Sequence, residues 1–135
     1  MTYPLNQLDG IEAEEVTALK RIGVRTTAAL LEAAASPKGR RELAGRTGID
    51  EKRLLKWANC ADRMRIKGVG DDYSELICAA GVNTVRDLKH RNAKRLTEAM
   101  RNANTKRKLV QFLPSEKAVA RWIEHAKKLP LKITY

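Results

Sequence analysis

Long apolar runs are missing from this sequence. No stretch approaches the roughly 18 consecutive apolar residues of a membrane span, so no membrane partner is expected. The opening Met1-Thr2-Tyr3-Pro4-Leu5 has neither the basic nor the apolar region of a signal peptide, which points to a soluble, cytoplasmic protein. Cysteine is scarce: Cys60 and Cys78 stand without Cys-x-x-Cys spacing, which argues against a disulfide framework or zinc site and for two buried, reduced thiols. The six aromatics, Tyr3, Trp57, Tyr73, Phe112, Trp122 and Tyr135, are too few for a base-stacking platform. Neither His90 nor His125 has a partner at metal-ligand or triad spacing. No catalytic residue, metal, cofactor or small-molecule substrate is therefore expected, and the chain reads as a binding protein rather than an enzyme. β-Branched residues are also sparse beside abundant Ala, Leu, Lys and Arg, which favours helix over strand and predicts an all-α fold.

What is abundant is positive charge. The 135 residues carry a net charge of +11 with a pI near 10.0, and a polyanion, above all nucleic acid, is the first partner to consider. The charge alternates along the chain. Residues 1–32 hold three bases and five acids, and residues 33–70 ten bases and four acids. Residues 71–85 carry only Asp71, Asp72 and Glu75, while residues 86–135 hold fourteen bases and four acids.

The sequence repeats internally. At a shift of 58 residues Gly10 falls on Gly68, Ile11 on Val69, Leu19 on Ile77, Gly23 on Gly81, Val24 on Val82, Thr26 on Thr84 and Leu30 on Leu88. At a shift of 65, Asp50-Glu51-Lys52 falls on Ser115-Glu116-Lys117, Leu54 on Val119, Trp57 on Trp122 and Ala61 on Ala126. Asp50 and Ser115 are good N-caps, each opening an apolar stripe at helical spacing, and Trp57 and Trp122 read as core anchors of those stripes. Ser36-Pro37 and Asn92-Ala93 start two further helices, ending near Gly48 and Asn104. Gly23 and Gly81 are left-handed helix ends, after which Thr26 and Thr84 start again. With no breaker between Asp50 and Gly68, the first Trp helix is expected to run on as the opening helix of the second copy. The expected units are residues 1–65 and 66–135, packed as one compact body.

Ile66-Lys67-Gly68-Val69-Gly70, followed by Leu76 and Ile77, has the form of a helix-hairpin-helix: an apolar residue, a tight Gly-hydrophobe-Gly turn, then an amphipathic helix. Glycine permits positive φ and close backbone approach, and the new helix's N–H groups favour a phosphate oxygen. Together with Trp57-Ala58-Asn59, Asp62, Met64-Arg65-Ile66-Lys67, Gly81-Val82-Asn83-Thr84 and Leu113-Pro114-Ser115, these residues resemble the bacterial family called domain of unknown function 4332. The resemblance covers nearly the whole chain and implies two tandem helix-hairpin-helix/SAM-like units, without an activity. Only the wider helix-hairpin-helix class implies DNA. The chain departs from the phosphate-gripping pattern, because Asp71-Asp72 follow one turn and Glu12, Glu14 and Glu15 the other. First-turn carboxylates satisfy a helix's own N–H groups, so a self-capped structural turn competes with the phosphate reading.

The remaining candidates are basic helices. Lys38, Arg40, Arg41 and Arg46 cluster in the first copy, and Lys89, Arg91, Lys94, Arg95, Arg101, Lys106, Arg107 and Lys108 in the second. Lysine and arginine bind phosphates by charge and, for arginine, by paired hydrogen bonds, whereas a solvated basic face needs no ligand at all. The expected function is sequence-independent binding of duplex or branched DNA by these helices, with Lys67, Gly68, Val69 and Gly70 as the hairpin's contribution. A protein-interaction module, its acidic hairpins and basic helices complementing a partner, fits the charge alternation equally.

Overall fold

The computed structural model describes residues 2–135, and among them the chain forms eight α-helices, one 3-10 turn at Leu5–Gln7 and no strand. No helix among the described residues is long and apolar enough to cross a membrane. The chain divides into two compact units, one running to Arg65 and including Lys132–Tyr135, the other spanning Ile66–Leu131. The tail thus departs from the expected division at 66–135.

The first unit holds α1 (Ala13–Arg21), α2 (Thr27–Ala34), α3 (Pro37–Thr47) and α4 (Glu51–Arg63). Short polar side chains start three of them by accepting an otherwise orphaned backbone N–H: Thr26 from Ala29 at 3.1 Å, Ser36 from Gly39 at 3.0 Å and Asp50 from Lys52 at 3.1 Å. Gly48 ends α3 at φ 77°, a left-handed conformation that costs glycine nothing. The core gathers Leu19, Leu30, Leu31, Ala34, Leu54, Trp57 and Met64. The tail belongs here because Arg40, 6% exposed, donates to Ala34 O at 2.9 Å and to Thr134 O at 2.8 Å. Thr134 N–H also donates to Ala35 O at 2.8 Å, and Lys132 pairs with Glu32.

The second unit holds α5 (Asp71–Ala79), α6 (Val85–Leu88), α7 (Ala93–Arg107) and α8 (Glu116–Lys128). Thr84, Asn92 and Ser115 cap α6, α7 and α8, accepting from Asp87, Arg95 and Ala118. Its core gathers Ile66, Val69, Leu76, Ile77, Val82, Leu88, Met100, Val119 and Trp122.

Two boundaries differ from expectation. α4 stops at Arg63 instead of continuing towards Gly68. Turn bonds from Arg65 N–H to Asp62 O and from Val69 N–H to Ile66 O replace the helical ladder, and they let Met64 and Ile66, two positions apart, each become fully buried in its own unit's core. α7 runs past Asn104 to Arg107, with Lys108 as its left-handed end at φ 50°. The Asn104 amide does not end the helix; it clamps the following loop, donating to Val110 O at 3.0 Å and accepting from Val110 N–H at 2.9 Å.

Candidate nucleic-acid interface

Each unit opens on a glycine turn seated against a tryptophan of its last helix. In the first unit Gly10 adopts φ 75°, and the Trp57 indole donates to Asp9 O at 3.0 Å. Charges close this turn. Arg53 donates to Glu15 at 2.9 and 2.6 Å and to Gly10 O at 3.1 Å, with its guanidinium 4.8 Å from the Trp57 ring centre. Lys56 lies 3.3 Å from Asp9. Glu12 and Glu15 form a reciprocal capping box at the start of α1. Burial pushes the Glu15 carboxyl upward, but the hydrogen bonds from Arg53 and the Glu12 N–H, with the Arg53 charge, outweigh it and hold the group below the ordinary carboxylate range. Little in this turn is left to attract a phosphate.

The second turn is built alike but charged differently. Gly68 takes φ 89° and is exposed, while Val69 is fully buried and serves as a core anchor rather than a ligand contact. Gly70, at φ −91°, is the N-cap of α5, whose first turn carries Asp71 and Asp72; the Asp72 N–H already donates to Asp71 Oδ1 at 2.9 Å. A depression of about 490 Å³ beside this acidic helix start is lined by Gly68, Asp71, Asp72, Tyr73 and Phe112 among others. A phosphate approaching from there meets two carboxylates.

A different cleft, about 430 Å³, is lined by Lys67, Gly68, Arg121, Trp122 and His125. The Lys67 backbone N–H donates to His125 Nδ1 at 3.1 Å, so a neutral ring carries its proton on Nε2. Trp122 Nε1 sits 3.4 Å from where a side-chain Cβ at position 68 would stand, a close but ordinary contact, so it is the φ of 89° that favours glycine in this turn. Tyr73 backs this ring, centroids 5.4 Å apart at 49°. Arg121 and His125 also line a neighbouring depression with Lys128, where Glu124 is engaged by Lys127 at 2.9 Å.

The basic helices differ in what they leave available. Arg40 is a structural residue, since its guanidinium is buried and donates to two carbonyls, and it drops out of the candidate set. Its neighbours Lys38, Arg41 and Arg46 are exposed. Lys89 is half-buried, and Arg91 donates to Gly81 O at 2.9 Å. Lys94, Arg95, Arg101, Lys106, Arg107 and Lys108 are exposed, and no carboxylate among the described residues pairs with them. At 3.6 residues per turn Lys94, Arg95, Arg101 and Lys106 fall on one arc of α7, opposite the buried Leu96 and Met100.

Arg121 and His125 escaped the sequence reading, as did any role for Trp122 beyond the core, although the repeat held the signal. The 65-residue shift sets Arg121 on Lys56 and His125 on Cys60, and the 58-residue shift sets Lys67 on Asp9. No group of three His, Cys, Asp or Glu able to hold a metal ion occurs among the described residues. A family model described as Domain of unknown function (DUF4332) matches residues 9–129. No curated protein and no solved structure matches the chain.

Proposed function

Because the chain belongs to the DUF4332 family, whose description assigns no activity, we propose a function from its chemistry: non-catalytic, sequence-independent binding of duplex or branched DNA through the basic surface of the second unit. The observation that carries this reading is the arc of Lys94, Arg95, Arg101 and Lys106 on α7, exposed and without a carboxylate partner among the described residues. Cations so arranged neutralise backbone phosphates and release counterions whatever the sequence. We also infer that the two units are copies of one helix-hairpin-helix-like unit. Supporting this are the paired left-handed glycines Gly10 and Gly68, then Gly23 and Gly81, the paired caps Thr26 and Thr84, and the paired indoles Trp57 and Trp122.

One observation favours a second reading, a protein-interaction module. Phe112 is 74% exposed and lines the depression shared with Asp71 and Asp72, a mixed apolar and acidic surface that suits a basic protein partner better than DNA. Titration against duplex, single-stranded and branched DNA at several salt concentrations separates the two. Binding that weakens steeply with salt and ignores sequence supports the DNA reading, and no binding to any form at low salt refutes it.

A further inference from the structure

The two glycine turns share a backbone and carry opposite charge. Where the first unit has Asp9, the second has Lys67; where the first has Lys56, the second has Arg121; and His125 replaces Cys60. In the first unit Lys56 and Asp9 meet at 3.3 Å and close the turn. In the second, a cation stands at both positions against one cleft of about 430 Å³, and no carboxylate among the described residues pairs with either. Two like charges lining a cavity repel each other, and an anion between them converts that repulsion into two attractions. Three of the side chains lining the cleft carry donors and no acceptor once the ring is engaged: the Lys67 ammonium, the Arg121 fork and the neutral His125 ring with its proton on Nε2, since Nδ1 accepts from the Lys67 backbone at 3.1 Å.

We propose that the cleft formed by Lys67, Gly68, Arg121, Trp122 and His125 is a phosphate-binding site. Asp71 and Asp72 line the adjoining depression, which shares Gly68 with this cleft, and are not among the cleft's own lining residues. Arg121 and Lys67 take the phosphate oxygens and His125 donates the third bond. A phosphate of a nucleic acid is the source that the proposed function supplies; that assignment rests on that function, while phosphate recognition itself does not.

The test is an amide-resolved NMR titration of the full chain with inorganic phosphate, against chloride at matched ionic strength, followed by DNA titrations of the same variants. Phosphate should move the Gly68 amide, the Trp122 indole and the His125 ring saturably, leaving Gly10 and the Trp57 indole still. Lys67→Asp rebuilds the ion pair of the first unit and should weaken phosphate binding on the order of tenfold or more, with the fold retained because Asp occupies the equivalent turn position already. Phosphate saturation together with weaker DNA binding by Lys67→Asp establishes a nucleic-acid phosphate as the ligand. Phosphate saturation with unchanged DNA binding, or with none, keeps the site and assigns it to a free phosphorylated molecule. Non-saturating shifts spread over the surface, or the same phosphate titration for wild type and Lys67→Asp, overturn the proposal.

Discussion

Replacing Lys94, Arg95, Arg101 and Lys106 together by Gln should flatten the salt dependence of DNA binding. The 27 lysines and arginines overstate the cations available for phosphates. Arg40 is consumed by two carbonyls, Arg91 by Gly81 O, Lys127 by Glu124 and Lys56 by Asp9. The four side chains on the α7 arc are exposed and have no carboxylate partner among the described residues, so about four phosphates is the natural footprint. Each neutralised phosphate of duplex DNA contributes about 0.9 to the logarithmic salt slope, giving roughly −3.6 for four and on the order of a hundredfold loss of affinity between about 50 and 200 mM salt. Fluorescence anisotropy with a labelled duplex across that range measures it. The variant should lose most of the slope and weaken unrelated duplexes alike, because phosphate contacts position a protein without reading bases. Its folding should change by no more than about 0.5 kcal/mol per site, since these side chains lie on the surface. An unaltered slope in a folded variant would show that the α7 arc does not meet the phosphates, and a loss confined to some sequences would show base readout instead.

Trp57→Ala and Trp122→Ala, at 1% and 6% exposure, should each destabilise the chain by about 3–5 kcal/mol in urea unfolding, and a loss under about 1 kcal/mol would mean the ring is not a core anchor. Two glycines of α3 should respond with opposite signs. A Cβ at Gly39 would stand 2.2 Å from Ala33 O, so Gly39→Ala should cost about 1–3 kcal/mol, whereas Gly45 has nothing within 4 Å and Gly45→Ala should stabilise by about 0.5–1 kcal/mol. Because the folded Glu15 carboxyl is held below its ordinary value of 4.5, the stability it contributes is present above that pH and is lost as pH falls through the lower folded value. Arg53→Ala should therefore flatten this acid limb of urea midpoint against pH, and an unchanged limb would mean the Glu15–Arg53 pair does not contribute to it.

The all-α fold and most helix starts were legible in the sequence because their causes are local. Ser36, Asp50, Thr84, Asn92 and Ser115 each bind a backbone N–H two or three residues ahead, so a short window holds both partners. The left-handed conformations of Gly23, Gly48 and Gly81 follow from what glycine alone tolerates, and the burial of Trp57 and Trp122 follows from helical periodicity. The end of α4 at Arg63 was not legible, since no breaker stands there and the burial of Met64 and Ile66 in separate cores is seen only in the packing. Arg40 looks like any basic residue until its partner arrives from Thr134, 94 positions away. The cleft needed tertiary structure for the same reason: His125 reaches the Lys67 backbone across 58 positions. A cap is written in one turn of chain, but the side chain that buries a charge or faces another across a cleft is chosen by packing between distant segments.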